Sequence, residues 1–587
     1  MVLQSVDWAI IASFFIISLG VGLAVTRRAS ASMAEYFVSG RHMPWWLLGV
    51  SMVATTFSTD TPNLVTDIVR TSGVAGNWVW WAFLLTGMLT VFVYARLWRR
   101  SGVLTDIEFY ELRYSGRAAA FLRGFRAVYL GVFLNVLIMA LVTLAAIKIG
   151  GVLLGLRPIH AVVWAGGVTV LYSMLGGLTG VLLTDLFQFT MAMIGAVAAA
   201  YYALKHPSVG GLAGLLTHPQ VQGKLSLLPD FGDLTTAVSV FIIPLTIQWW
   251  SVWYPGAEPG GGGYIAQRML AAKNEQHALG ATLLFNVAHY ALRPWPWIIV
   301  ALCSLVVFPD LAALRKAFPS VEEQVLKHDL GYPAMLTFLP RGWLGLVVAS
   351  LIAAYMSTIS THLNWGSSYV VNDVYKRFVR PGASERELVW CGRITTLVLM
   401  VLACWSSLYM EHAKQMFDVM VLVGAGTGLL FLLRWFWWRI NAWSELAAMI
   451  ISFVVALMMQ FVVKEGLQEW QKLVIGVGIT TAGWVLVTLV TPPTAEEVLR
   501  RFVGLVEPGG PGWRAVRVRA AADGQVLPEG RGRLPVTLVC ITCGCAAVYG
   551  ALAATGYFLY GQVITASVLS VVAVGAAIAL MVMWKRV

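Results

Sequence analysis

The sequence predicts an all-α polytopic membrane protein, and two observations lead to this prediction: the composition and the long apolar windows. Of the 587 residues, 58% are hydrophobic and 12% are Asp, Glu, Lys or Arg, whereas a soluble domain has about 25% charged residues. The apolar windows have roughly the 20 residues that a helix needs to cross a bilayer. They lack the alternating pattern of transmembrane barrel strands. Soluble enzymes, secreted disulfide-rich domains and disordered proteins are therefore disfavoured.

About fifteen windows have this length and composition. They cover residues 7–26, 44–70, 77–98, 122–150, 159–178, 180–204, 233–254, 276–306, 340–372, 388–411, 415–437, 441–463, 472–491, 535–558 and 562–584. An odd number of spans places the termini on opposite sides of the membrane. Most of the 41 Lys and Arg residues follow odd-numbered spans, and positive loops stay in the cytosol. We therefore expect the N-terminus outside and the C-terminus in the cytosol, and we attribute the net charge of +12 to this orientation rather than to a nucleic-acid partner.

The first window is expected to remain as a helix. A secretory signal peptide begins with a positive segment, but the leading MVLQSVD contains no Lys or Arg, and the charges come after the apolar stretch, in TRRAS. Residues 1–43 are therefore predicted to form an extra N-terminal transmembrane helix.

The second window contains an unusually polar segment, SMVATTFSTDTP, at residues 51–62. Pro62 has no N–H to donate and disfavours a helical conformation at Thr61. The segment therefore predicts an interrupted helix with free carbonyl groups near the middle of the membrane, which is tolerated only in a cavity or inside the protein. The alternative is a kink whose hydroxyl groups bond back to their own helix.

The seventh window contains a second interruption. The apolar segment IIPLTIQWWSVWY ends at Pro255, and Pro and Gly dominate as far as Gly263. Windows 2–6 and 7–11 can then form two five-helix halves of opposite orientation that each begin with a broken helix, which is typical of transporters built from inverted repeats. Alternatively, the glycines form only a loop. The predicted organisation is a core at 44–437, with repeats 44–204 and 233–437, followed by C-terminal helices at 438–587 and a cytosolic loop at 492–534.

The ninth window carries a cluster of hydroxyl groups in AAYMSTISTHLN, residues 353–364. Ser357 and Thr358 lie about one helical turn after Ala354. Hydroxyl and carbonyl oxygens are suitable ligands for a hard cation and add no fixed charge, so the ion can leave again. The alternative is that the hydroxyl groups only bond neighbouring helices together.

These three segments resemble the sodium:solute symporters, the family of sodium–glucose and sodium–proline cotransporters. The matching stretches occur in family order. They are YFVSGRHMPWWLLGVSMVATTFST, LTDIEFYELRYSGRAAAFLR, YSMLGGLTGVLLTDLFQF, YIAQRMLAAKNEQHA and AAYMSTISTHLN. The resemblance implies a leucine-transporter-like fold with a 5+5 inverted repeat, extra terminal helices and alternating access driven by a sodium gradient.

The resemblance also implies a sodium site. Its ligands would be the carbonyl groups of Ala54, Phe57 and Ala354 and the hydroxyl groups of Ser357 and Thr358. The acid of the family's TD-x-x-Q motif falls on Asp185, which is expected to act in ion passage to the cytosol. Proton coupling through Asp185 is an alternative to sodium.

Six further residues are candidates for substrate binding: Asp60, Asn77, Trp253, Tyr264, His289 and Arg293. His289 and Arg293 share a helix face where sugar-transporting members have a substrate-binding lysine, although Arg293 could instead extend towards the headgroups. Asn77 occupies a position where sugar transporters use an acid. The aromatic side chains could stack on a sugar ring, close a gate or pack against lipid.

The expected function is sodium-coupled secondary active import of a small polar organic solute. A sugar or sugar derivative is the favoured solute, and an amino acid or a carboxylate is the alternative. The expected partners are the solute, sodium and the lipid bilayer, in a plasma membrane of bacterial inner-membrane type. A membrane enzyme is not expected, because the sequence shows no cluster of acids, His or Cys near one membrane face. A transporter-like sensor remains a less favoured alternative.

Overall fold

The computed structural model describes residues 3–154, 157–251, 258–319, 326–409, 426–463, 466–530 and 534–584. These residues form helices and no β-strand. Ten helices among them are long and apolar enough to cross a membrane, and three shorter ones are also apolar. The all-α, multi-span prediction is confirmed.

The main helices are numbered here in chain order. They are α1 (Ser5–Ala29), α2 (Trp45–Thr55), α3 (Thr61–Ser72), α4 (Val74–Ser101), α5 (Gly116–Ile147), α6 (Val162–Leu204), α7 (Leu234–Thr246), α8 (Gly263–Ala271), α9 (Glu275–Val307), α10 (Trp343–Val379), α11 (Glu385–Leu408), α12 (Ala442–Leu457), α13 (Glu469–Val490), α14 (Glu496–Val506), α15 (Leu534–Leu559) and α16 (Val563–Met583).

Two of the predicted spans lie in the run α6. This run is 43 residues long and contains the windows 159–178 and 180–204. Gly177, with a φ of 52° and a ψ of −157°, divides the run into two helices that meet at a kink. A Cβ atom there would lie 2.7 Å from the Tyr36 carbonyl oxygen, so both the backbone angle and the close approach require glycine. Residues 415–425 of window 415–437 fall outside the described residues.

The first predicted interruption lies between α2 and α3. The helix ends at Thr55 and begins again at Thr61, with Pro62 in the first turn of α3. A proline fits there because the first N–H groups of a helix have no intrahelical partner. The Phe57 N–H donates to the Ala54 carbonyl at 3.0 Å, which turns the chain sharply at the end of α2.

The second interruption lies between α7 and α8. Gly260 and Gly261 have φ angles of 83° and 89°, in the region that favours glycine. The N–H of Gly263, the first residue of α8, donates to Asp106 Oδ2 at 2.7 Å. Just after α8, the Lys273 N–H donates to the carbonyl of Met43 at 3.1 Å. The segment that leads into α2 is thus hydrogen-bonded to the segment that follows α8.

α1 packs along α6 and α10 and runs in the same direction as α10. At its start, Asp7 Oδ1 accepts hydrogen bonds from the N–H groups of Gly342 and Gly345, both at 2.8 Å. A carboxylate in this position caps the first turn of α10. At its end, Arg393 of α11 donates to the Ser30 hydroxyl at 2.6 Å.

Several arginines that the sequence assigns to loops are in fact buried and bonded within the protein. Arg113 donates to the carbonyl groups of Arg434 and Trp437, and Arg126 forms an ion pair with Glu258 at 2.9 Å. Arg113 lies between α4 and α5, and Arg126 lies in α5. These side chains hold helix ends together, and the membrane orientation stays a prediction.

Candidate functional site

The carbonyl groups of the first interruption face the hydroxyl cluster of α10. Thr358 Oγ1 donates to the carbonyl of Thr55 at 3.0 Å and to that of Ala354 at 3.2 Å. Since Ala54 and Phe57 flank this contact, the five oxygens expected to bind sodium belong to two segments that touch each other. No hydrogen bond to the Phe57 carbonyl is found among the described residues. This set of neutral oxygens suits a monovalent hard cation.

Asp185 joins α6 to the same two segments. Its Oδ2 accepts from Ser51 of α2 at 2.5 Å, and its Oδ1 accepts from Ser357 of α10 at 2.6 Å. The carboxylate is fully buried. One of the expected sodium ligands, Ser357, is thus bonded to the acid expected to act in ion passage.

Arg268 of α8 completes this buried network, and sequence reasoning missed it by treating it as a loop charge. Its guanidinium lies 3.9 Å from Asp185 and donates to the hydroxyl groups of Ser51 at 3.2 Å and Thr361 at 2.7 Å. The network therefore connects both broken helices with α6 and α10. The indication in the sequence that Arg268 could belong to the site is its position in YIAQR, which is part of a stretch that resembles the symporter family.

A cavity of about 110 Å³ lies beside this network. A single water needs about one tenth of that space. The lining is mainly polar on the side of the first interruption and apolar on the side of α5. The lining residues are Thr55, Thr56, Ser58, Asp60, Thr61, Ile138, Leu141, Val142, Tyr264, Thr358 and His362. Two substrate candidates, Asp60 and Tyr264, are therefore in the cavity wall, and Thr358 belongs both to this wall and to the proposed ion site.

His289 and Arg293 lie directly behind Thr56. His289 Nδ1 and Arg293 Nη1 are 3.1 and 3.2 Å from Thr56 Oγ1, and the two side chains are 3.1 Å apart. They follow each other in α9 at a widened turn, in which the Arg293 N–H donates to the Ala288 carbonyl. Arg293 is 2% exposed, so it extends into the protein and not towards the headgroups.

Like His289 and Arg293, Asn77 does not line the cavity. Asn77 is fully buried at the start of α4. It donates to the Val74 carbonyl at 2.9 Å and accepts from the Trp80 indole at 2.8 Å. Trp80 in turn packs edge-on against His289 at 5.7 Å. Trp253 lies outside the described residues.

The chain has similarity to known transporters over most of its length. The profile of the sodium:solute symporter family matches residues 36–452. A sodium/glucose cotransporter of Vibrio parahaemolyticus is 25% identical over 483 residues, which cover 78% of this chain and 86% of that protein. A sodium/myo-inositol cotransporter of Mus musculus is 29% identical over 482 residues, which cover 75% of this chain and 64% of that protein.

A solved structure has the same fold. It is a substrate-bound, outward-open Na⁺-coupled sialic acid symporter, with a TM-score of 0.67 and 20% identity over 84% of this chain and 99% of that chain. The leucine-transporter-like fold class is thereby confirmed. The profile covers more than two thirds of the sequence and includes both interruptions and the hydroxyl cluster of α10. The chain belongs to the sodium:solute symporter family, whose members are multi-pass membrane transporters that couple solute transport to sodium.

Proposed function

We propose that this symporter binds sodium between α2 and α10 and imports a small polyhydroxylated solute, a sugar or a polyol, through the adjacent cavity. The observation that carries the proposal is the position of Thr358. Its hydroxyl bonds to a carbonyl of the first interruption, and its side chain also lines the cavity. Occupancy of the ion site and the shape of the solute site are therefore physically connected.

The proposed sodium ligands are the carbonyl oxygens of Ala54, Phe57 and Ala354 and the hydroxyl oxygens of Ser357 and Thr358. The Ser357 hydroxyl donates its proton to Asp185, which leaves the lone pairs of the hydroxyl oxygen available to the ion. Asp185 thus supports the ligand while the ion is bound and offers a carboxylate to the ion as it leaves towards the cytosol.

Sodium drives import because it stabilises the outward-facing conformation that accepts the solute. The coupling is reciprocal, so the solute strengthens sodium binding by the same factor by which sodium strengthens solute binding. The similarity to sodium/glucose and sodium/myo-inositol cotransporters supports a polyhydroxylated solute. The hydroxyl groups of Ser58 and Thr61 and the carboxylate of Asp60 offer the polar partners that such a solute needs.

The test measures binding of radiolabelled sodium to the purified protein, which requires no knowledge of the solute. The double variant Ser357→Ala/Thr358→Ala removes two of five ligands, and we expect sodium affinity to fall at least tenfold. The matched controls are Ser368→Ala and Thr282→Ala, because among the described residues these buried hydroxyl groups bond to carbonyls of their own helices.

The controls should bind sodium as the unmodified protein does. Unchanged sodium binding by the double variant would show that the ion site lies elsewhere. Uptake into proteoliposomes that is driven by a proton gradient in the absence of sodium would favour proton coupling through Asp185.

We further propose that the protein resides in the plasma membrane with its N-terminus outside and its C-terminus in the cytosol. Exposed basic residues at the end of α1, Arg27 and Arg28, and near the end of α10, Arg377 and Arg380, support this orientation. The two helix ends lie on one face of the protein, because the Met33 N–H donates to Glu385 Oε2 at 2.7 Å.

A further inference from the structure

A column of aromatic rings runs along α5. Phe121, Phe125, Tyr129 and Phe133 follow one another at intervals of four residues, and side chains with this spacing form a ridge on the surface of a helix. The centroids of successive rings are 5.9, 5.6 and 6.2 Å apart, and their planes differ by 17°, 9° and 19°. The four stacked rings form an aromatic column that covers about 18 Å of the helix axis.

The aromatic column faces away from the protein. Phe121, Phe125 and Phe133 are 59%, 43% and 59% exposed, and they belong to a helix that is long and apolar enough to cross a membrane. Because the hydrocarbon region of a bilayer holds no water, rings exposed there contact lipid chains or another protein. The rings also hold one another in place, so they lose little conformational freedom when a chain packs on them. The aromatic column is therefore a preformed apolar surface for a partner in the membrane.

Two arginines stand beside the first half of the aromatic column. Arg117 lies one helical turn before Phe121, is exposed, and forms no ion pair among the described residues. Phe378 of α10 packs at Gly124, where an added Cβ atom would lie 3.1 Å from the ring. The Arg377 guanidinium lies 5.3 Å from the centre of the Phe378 ring. One end of the apolar surface thus carries exposed positive charge.

The ion pairs in this region leave the positive charge outermost. Arg377 pairs with Glu111 at 2.9 Å, and its side chain is 46% exposed, whereas that of Glu111 is 22% exposed. Arg380 pairs with Glu387 at 2.8 Å, and the exposed fractions of their side chains are 63% and 27%. The acids are the more buried partners, and Glu111 also accepts a hydrogen bond from Arg123. The outer surface therefore suits an anion that lies at the end of a long apolar group.

We propose that this surface binds an anionic phospholipid of the surrounding bilayer. The phosphate group lies at Arg117 and Arg377, and one acyl chain lies along the aromatic column. Arginine forms strong charge-assisted hydrogen bonds with phosphate, and basic residues beside a transmembrane segment attract anionic lipids. Because Arg117 belongs to α5 and Arg377 to α10, the bound lipid links the two helices and stabilises the folded protein.

A second copy of the chain fits this surface less well than a lipid does. Two copies in one bilayer have the same orientation, so a contact between their aromatic columns would place the exposed arginines of both copies at the same depth. Like charges repel there, whereas a phosphate group neutralises them.

The experiment compares two lipids that share their acyl chains. Palmitoyl-oleoyl-phosphatidylglycerol is anionic, and palmitoyl-oleoyl-phosphatidylcholine has no net charge. Each lipid is titrated into the delipidated, purified protein in a neutral detergent, and dissociation constants are measured by native mass spectrometry. We expect phosphatidylglycerol to bind about tenfold or more tightly than phosphatidylcholine. Since it binds the folded state, phosphatidylglycerol should also raise the midpoint temperature of thermal unfolding.

Substitutions assign the binding to this surface. Arg117→Gln should lower the affinity for phosphatidylglycerol about fivefold and leave that for phosphatidylcholine unchanged. Phe121→Ala/Phe125→Ala should lower the affinity for both lipids, because it removes two rings that the acyl chain contacts. The matched controls are Arg27→Gln, at an exposed arginine at the end of α1, and Phe453→Ala, at a phenylalanine of α12 that is 46% exposed. Both controls should bind the lipids as the unmodified protein does, and thermal unfolding without lipid measures correct folding.

Three results would overturn the proposal. Equal affinities for the two lipids would show that the surface does not recognise charge. Unchanged phosphatidylglycerol affinity in either Arg117→Gln or Phe121→Ala/Phe125→Ala would place the lipid elsewhere. A lipid-free dimer that the double substitution converts to a monomer would show that a second copy of the chain covers the aromatic column.

Discussion

At the scale of single residues, the most informative groups are the charges inside the membrane region. Asp185 and Arg268 are both fully buried and share a hydroxyl partner, Ser51. Among the described residues, the hydrogen-bond partners of Arg293 are Thr56 and His289, which carry no negative charge. Asp185 and Arg268 thus lie near an opposite charge, whereas the described partners of Arg293 are not acids.

Asp185→Asn tests the structural part of this network. The amide keeps one acceptor but loses the negative charge, and its NH₂ group faces donors. Removing one partner of a buried pair leaves the other charge uncompensated, so we expect the free energy of unfolding to fall by about 3 kcal/mol. The measurement is equilibrium unfolding in detergent without sodium.

The control for this substitution is Glu497→Gln on the exposed side of α14, which should change the unfolding free energy by less than about 0.5 kcal/mol. If Asp185→Asn is as stable as the control, the carboxylate is protonated or its charge has no structural role.

At the scale of elements, short helices beside the interruptions are held by contacts from distant parts of the chain. The first N–H of α8 is capped by Asp106, and the same carboxylate accepts a hydrogen bond from the Tyr369 hydroxyl of α10. A helix of nine residues has little stability of its own. Its position is therefore decided by the elements that pack on it.

α14 is a second element of this kind. It lies within the segment 492–534 that the sequence predicts as a cytosolic loop. Its apolar face packs onto the protein, with the Phe502 ring 5.8 Å from Phe109 and 5.5 Å from Trp513. The Arg113 guanidinium lies over the same ring at 5.4 Å. α14 thus packs against the segment between α4 and α5 and stabilises it.

Phe502→Ala should destabilise the protein by about 3–4 kcal/mol, because the truncation leaves a cavity among aromatic rings. The matched control is Leu505→Ala in the same helix, whose side chain is 46% exposed, and it should cost less than about 1 kcal/mol. Thermal unfolding is the measurement, and sodium affinity should be unchanged in both variants. Equal effects of the two substitutions would contradict this packing of α14.

At the scale of the whole molecule, the helices define two opposite faces. The ends of α1 and α10 meet α11 on one face. On the other face, the Val74 N–H at the start of α4 donates to the carbonyl of Lys224, at 2.9 Å. These faces carry the proposed cytosolic and external loops respectively.

A matched pair of glycine-to-cysteine variants tests the orientation. Gly382 and Gly223 are both exposed, with no atom within 4 Å of an added Cβ. In intact cells, Gly223→Cys should react with a membrane-impermeant maleimide, whereas Gly382→Cys should react only after the cells are opened. The background is a variant without the six native cysteines. The reverse pattern would invert the proposed topology.

Much of the fold follows from local features of the sequence. The apolar windows predict the helices, Pro62 predicts the end of the first broken segment, and the glycines before α8 predict the second. These features can be interpreted locally. The apolar windows reflect the lipid environment, and proline and glycine restrict or extend the backbone angles of their own residues, so no contact with another segment has to be known. The boundaries of the repeats at 44–204 and 233–437 stay a prediction.

The partners of the charged residues could not be predicted in the same way. Ser51 and Ser357 are 134 and 172 positions away from Asp185 in the chain, and nothing in the local sequence connects them. For the same reason, Arg268 is indistinguishable from a loop charge until α8 is packed between α2 and α10.

The sequence by itself therefore determined the solvent, the helices, their interruptions and, by resemblance, the symporter family. Only the tertiary structure decided which buried charges lie beside an opposite charge and which do not. The physical reason is that hydrophobicity and backbone preference act within a single segment, whereas the energy of a buried charge depends on every segment packed around it.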